Sequence, residues 1–180
     1  LDMELYDNGD MFAELCGKLH QFASDRPAAL KKRDLEREAD PEWYKSSGLT
    51  GMMLYIDNFA GNLDGMRKKL PYIQKTGVNL IHLMPFLDTV PGRSDGGYAV
   101  SDFRAVRPDL GTMEDLEKLA EDCHKKGVSL CMDFVMNHTS QDHEWAKKAR
   151  AGDGEYMSRY FFFADPSIPQ EYEKTVPQVF

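Results

Sequence analysis

Two stretches of the chain set residue types that handle polar molecules beside backbone signals that would expose them. DFVMNHTS, Asp133 to Ser140, begins as a buried strand would and ends in an Asn-His-Thr run that no core would select. DGGYAVSDFR, from Asp95 onward, places a carboxylate and a phenol on either side of Gly96 and Gly97. Those glycines admit backbone angles closed to other residues, which would let Asp95 and Tyr98 face one space. If Asp95, Tyr98 and His138 converge, they suit a polar, uncharged ligand such as a sugar. The carboxylate accepts from hydroxyls, the ring offers a flat face and the imidazole donates. On pattern alone, a surface loop with a tight turn explains DGGY equally well.

Other chemistries find less support. His138, His143 and Glu144 lie in HTSQDHE, which is not the HExxH pattern and brings no third ligand, so no metal is expected. No GxGxxG opens a helix, no Walker lysine is present and GxSxG is missing, so neither a nucleotide cofactor nor serine-hydrolase chemistry is expected. Asn137-His138-Thr139 matches a glycosylation sequon, but nothing else indicates secretion. His20, His82, His124 and His143 are read as structural hydrogen-bonders. With 22 Lys+Arg against 30 Asp+Glu the net charge is −8, which repels phosphate backbones and anionic lipid heads, so neither nucleic acid nor a membrane is an expected partner. The cysteines Cys16, Cys123 and Cys131 form no ligand-like or CxxC spacing and are expected to be buried thiols of a reducing compartment. A cytoplasmic location follows as an expectation. Secretion stays open because the sequence starts at Leu1.

The elements that must position these residues follow from periodicity. With 180 residues and 42% hydrophobic content, one sizeable core with an appended lobe is expected. Phe12, Leu15, Leu19 and Phe22 recur at helical spacing, DRP interrupts, and AALKKRDLEREAD resumes a helix whose charges mark a solvated face. LTGMMLYIDNF reads as a strand followed by a loop. A helix with Leu63, Met66, Leu70 and Ile73 on one face comes next and ends at Gly77. VNLIHLMP is the second strand. A loop of about 25 residues, long enough to suggest a functional role, then leads to a helix capped by Thr112 with Asp115 at the third position, ending at Gly127. VSLCMDFV is the third strand.

TGVNLIHLMP and KGVSLCMDFV repeat one helix-to-strand plan. Near-continuous apolar strands between amphipathic helices predict an α/β fold whose parallel sheet is covered on both faces. A doubly wound sheet and part of a (β/α)8 barrel both fit, and both put ligands at the carboxyl ends of strands. Asp57 and Asn58, the SDGGYAV loop, and Asn137 with His138 all fall at such ends.

SDGGYAV and DFVMNH, with YIDNFAGNLDG, HLMP and HEWAKKARAGD in the same order, resemble the α-amylase superfamily, glycoside hydrolase family 13, and within it the amylosucrases and sucrose hydrolases. The likeness runs from about Ala28 to Phe180. It implies a partial (β/α)8 TIM barrel: a helical segment over 1–48, three β/α units over 49–140, and the start of an excursion after strand three over 141–180. It also implies that Asp95, Tyr98 and His138 line the subsite for the transferred glucosyl ring, with Asp133 and Asn137 bracing the strand end. Asn137 matches a calcium ligand of many amylases, but amylosucrases generally manage without that ion, so no metal or cofactor is expected.

Family members retain configuration through an Asp nucleophile and a Glu acid/base on later strands. No GxRxDA-like segment occurs in these 180 residues, so no catalytic carboxylate is assigned here, and the chain is expected to be an inactive fragment of an enzyme. The implied parent moves glucose from sucrose, or another α-glucoside, to an α-glucan or to water. The alternative is a non-catalytic module that binds a sugar or a protein. Open strand edges lead us to expect self-association of the isolated chain.

Overall fold

The computed structural model describes residues 8–175, and the chain divides between Leu49 and Thr50 into two compact units. The first holds α1 (Gly9–Asp25) and α2 (Ala28–Ala39), separated at Arg26-Pro27. Asn8 caps α1 by accepting from the Met11 amide. A short 3-10 turn, Trp43–Lys45, follows, with the Arg37 guanidinium over the Trp43 ring. The predicted apolar face of α1 is present but exposed: Phe22 retains 74% of its accessible surface.

The second unit is built on three parallel strands, β1 (Gly51–Leu54), β2 (Leu80–Leu83) and β5 (Ser129–Met132), in the spatial order β1-β2-β5. Two helices connect them, α4 (Leu63–Lys75) and α5 (Met113–Lys125). The 3.6-residue period puts Leu63, Met66, Leu70 and Ile73 on one stripe of α4, and all four are buried. α5 begins with the full capping box: the Asp115 amide donates to the Thr112 hydroxyl while the Asp115 carboxylate accepts from the Thr112 amide. Arg67 of α4 and Asp122 of α5 join the helices at 2.7 Å.

Strand alternation decides what the helices cover. Met52 and Leu54, Ile81 and Leu83, and Leu130 and Met132 pack with the apolar stripes of α4 and α5 in one core. Met53, His82 and Cys131, which are paired in register across the sheet, occupy the other face. α4 and α5 do not pack on that face, and Met53 is 67% exposed. The expectation of cover on both faces is therefore corrected: the strands run in sequential order, and both helices lie on the same side. This singly wound arrangement is that of a (β/α)8 barrel rather than of a doubly wound sheet.

Cysteine burial is corrected with it. Cys123 of α5 is buried, and burial pushes its thiol up to about 11, but Cys131 and Cys16 are exposed. An apolar-looking strand had implied burial for Cys131, whereas alternation turns its side chain to the open face. Cys16 sits on α1, which has no buried residue.

Two segments read as loops are ordered elements. A short helix, α3 (Ile56–Ala60), follows β1. The long connection after β2 folds into an antiparallel ribbon of β3 (Leu87–Thr89) and β4 (Val100–Val106), with register shifts between them. Beyond β5 lie α6 (Glu144–Arg150), α7 (Gly154–Met157) and α8 (Ser167–Glu173). His143 caps α6, its Nδ1 accepting from the Trp145 amide at 3.0 Å, and burial holds its imidazole below the usual pKa. The Arg159 guanidinium stacks over both Trp145 and Tyr156.

Candidate functional site

The sheet ladder runs one residue past β5, where the Asp133 amide donates to the Leu83 carbonyl at 3.1 Å. Asp133 is thereby held at the carboxyl edge, and alternation puts its side chain on the open face with Cys131 and His82. One carboxylate oxygen, Oδ1, accepts from His82 Nε2 at 2.7 Å. The other, Oδ2, accepts from the Tyr98 hydroxyl at 2.9 Å. This hydrogen bond raises the pKa of the Tyr98 phenol, because ionisation would set a phenolate beside a carboxylate. Tyr98 stays a donor near neutral pH, with its hydroxyl anchored.

The Asp95–Gly97 turn carries Tyr98 to that position. Asp95, Gly96 and Gly97 all adopt positive φ, at 47°, 65° and 98°. At Gly97 a Cβ would also lie 2.8 Å from Pro85 Cβ and 3.0 Å from the Pro85 carbonyl oxygen, so the turn sits directly on the end of the second strand segment. Asp95 itself is exposed, and its carboxylate makes no hydrogen bond among the described residues. Its backbone carbonyl accepts from the Tyr98 amide at 3.1 Å.

His138 reaches the same turn from the segment after β5. Its Nε2 donates to the Tyr98 carbonyl at 3.2 Å, and its Nδ1 accepts from Asn137 Nδ2 at 3.4 Å. Both bonds are consistent with one neutral tautomer, proton on Nε2. The imidazole had been expected to offer this proton to a ligand, but here it is committed to a backbone carbonyl, through a bond at the long end of the usual range. The Ser140 amide adds a 2.8 Å bond to the Val100 carbonyl. Phe103 and Phe134 lie 5.3 Å apart between ring centres, so the ribbon and the segment after β5 are tied at several points.

The structure thus joins Tyr98, Asp133, His138 and Asn137 in one chain of hydrogen bonds and leaves Asp95 at its rim. Asp57, also at a strand end, is engaged elsewhere: Arg107 bonds it at 2.6 Å and Asp109 at 2.7 Å. Sequence reasoning did not place His82 in the site and passed over Tyr55. His82 does serve as a structural hydrogen-bonder, but inside the site, and a Cβ at Gly96 would lie 3.7 Å from the Tyr55 hydroxyl. A usable signal was present: His82 is a lone polar residue in an apolar strand, and Tyr55 falls on the same face as Met53 by alternation. Among the described residues no group of three His, Cys, Asp or Glu side chains is arranged to hold a metal ion. No described helix is long and apolar enough to cross a membrane.

Known proteins are similar to this chain in sequence and fold over a limited length. The family described as alpha amylase, catalytic domain, matches residues 23–180. Oligo-1,6-glucosidase of Saccharomyces cerevisiae is 32% identical over 145 residues, 77% of this chain and 24% of that protein. Trehalose synthase/amylase of Mycobacterium tuberculosis is 38% identical over 135 residues, 72% of this chain and 22% of that protein. Among solved structures, a variant of the trehalose-6-phosphate hydrolase of Bacillus licheniformis gives a TM-score of 0.61 at 30% identity, covering 69% of this chain and 23% of that one. The trehalulose synthase of Pseudomonas mesoacidophila gives 0.59 at 35%, covering 66% and 22%. A variant of the latter synthase has been solved with its substrate sucrose. The chain spans less than a quarter of the length of these relatives. With a three-stranded, singly wound β/α unit and a family match over most of its residues, the chain belongs to the α-amylase family, of whose catalytic domain it carries part.

Proposed function

We propose that these residues form the wall of a glucosyl-binding pocket in an amylosucrase-like retaining enzyme. That enzyme takes glucose from sucrose and passes it to an α-glucan or to water. The observation that carries the reading is the hydrogen-bonded set Tyr98, Asp133 and His138 at the carboxyl ends of the second and third parallel strands. An aromatic face fixed by its hydroxyl, bordered by an exposed carboxylate at Asp95, suits a neutral ring bearing hydroxyls. The family match supports an α-glucoside as the substrate class. Sucrose rests on the sequence resemblance and on the substrate of two solved relatives. On this reading residues 49–140 supply the first three β/α units and residues 141–180 open the excursion after strand three.

The test is to express the full-length protein and offer it sucrose, trehalose and isomaltose, following fructose, glucose, reducing ends and glucan. Fructose release with glucan formation or free glucose is expected from sucrose. Turnover of another α-glucoside in place of sucrose would change the donor, and no turnover of any would overturn the proposal. Asp95→Asn should lower kcat by about 10²–10³, the range for a hydrogen bond made fully only in the transition state. His138→Ala, which removes the bond to the Tyr98 carbonyl, should instead lower kcat/KM about 10- to 100-fold through a misplaced pocket wall.

A further inference from the structure

We propose that His82 is a positioning residue of this site, setting Tyr98 through Asp133; the proposal rests on the glucosyl-pocket reading above. His82 lies mid-strand on the open face, flanked in register by Met53 of β1 and Cys131 of β5. Its Nε2 is 2.7 Å from Asp133 Oδ1, and Asp133 Oδ2 in turn receives the Tyr98 hydroxyl at 2.9 Å. The carboxylate is thus held at both oxygens, one bond coming from the sheet and one from the turn that carries Tyr98.

Removing the imidazole frees one of those oxygens. Neither flanking side chain replaces it, since a thioether donates nothing and a thiol donates weakly. Asp133 would then be free to turn about its own side-chain bonds, and the Tyr98 ring would lose its fixed angle. His138 would follow, because its Nε2 donates to the Tyr98 carbonyl. The effect reaches the ligand only through other residues. Packing is not the reason for an imidazole at this position: Ile81 and Leu83, its neighbours in the strand, fill the core, while the His82 side chain is 35% exposed.

The test compares His82→Leu, which removes the donor, with His82→Gln, whose amide nitrogen reaches to about the place of Nε2. Both are made in the full-length enzyme and again on a Tyr98→Phe background. On whichever of sucrose, trehalose or isomaltose the parent turns over fastest, His82→Leu should lower kcat/KM about 10- to 100-fold, the range expected for a misplaced binding wall. His82→Gln should recover to within about threefold. On the Tyr98→Phe background His82→Leu should add little, because the two changes break one chain. An equal loss in both His82 variants, a loss additive with Tyr98→Phe, or no loss in His82→Leu would each overturn the proposal.

A second readout does not need turnover. In protein labelled with 15N-histidine, the His82 ring signal, assigned by its absence in His82→Gln, should report a proton on Nε2 and should shift in Asp133→Asn. If the parent turns over none of the three sugars, the pocket reading fails, while this signal still decides whether His82 holds Asp133. An unshifted signal in Asp133→Asn would overturn the positioning role even in an active enzyme.

Discussion

At the scale of single residues, the site is made by side chains that hold one another more than by side chains free to meet a ligand. Asp133 accepts two hydrogen bonds, Tyr98 gives one through its hydroxyl, and His138 gives one to the Tyr98 carbonyl. Such mutual fixing presents a rigid aromatic face and limits the ordering cost on binding. It depends on a backbone position that tolerates no side chain. At Gly97, φ of 98° and a Cβ 2.8 Å from Pro85 Cβ both oppose substitution. We therefore expect Gly97→Ala to lower stability by about 1–3 kcal/mol and to weaken sugar binding as well. Urea unfolding, with equilibrium dialysis of labelled sugar, measures both. Unchanged binding would mean that the turn does not set Tyr98.

At the scale of elements, helix termini and inter-helix ion pairs fix the barrel segment. Thr112 and Asp115 satisfy each other's amides at the start of α5, the helix that delivers β5 and thus Asp133. Thr112→Ala should cost about 1 kcal/mol, the usual loss for an N-cap, read as a lower urea midpoint at unchanged slope. Acid should act on the charged contacts between elements. Hydrogen bonds from Arg107 hold Asp57 and Asp109 below the ordinary carboxylate range, and Arg67 does the same for Asp122. A carboxyl whose folded pKa is depressed lends stability that is present above its unfolded pKa of about 4. That stability is lost as pH falls through the folded pKa. Stability should therefore drop as pH is lowered below about 4, and Asp122→Asn should make the drop shallower. Solvent screening keeps each contribution small, since these side chains are partly exposed. Urea midpoints from pH 7 to pH 3 supply the comparison, and equal acid dependence in the parent and Asp122→Asn would exclude a role for that pair.

At the scale of the molecule, the described sheet has one face packed on helices and the other open, with β1 and β5 as its outer strands. Met53 and Cys131 on the open face and unpaired backbone groups at the edges are features that drive strand-edge association. A polypeptide of residues 1–180 should accordingly self-associate, and it should release no fructose from sucrose, because no GxRxDA-like segment occurs in it. Light scattering over a hundredfold range of concentration tests the first expectation, and a fructose assay the second. A monodisperse monomer with sustained turnover would contradict both.

Periodicity, capping signals and local motifs were legible in the sequence because each depends on residues near one another in the chain. The stripe Leu63, Met66, Leu70 and Ile73, the Thr112 cap, and the placing of Tyr98 and His138 at strand ends are of this kind. What the sequence left open depended on contacts between distant residues. Which side of the sheet the helices cover, and so whether Cys131 is buried, follows from strand order, which no single strand encodes. The ribbon within the long loop needed pairing between β3 and β4, whose shifted register escapes a period-2 reading. His82 joined the site only when parallel pairing laid it beside Asp133, 51 residues away in sequence. A hydrogen bond of that span is set by tertiary register, and only the folded sheet decides it.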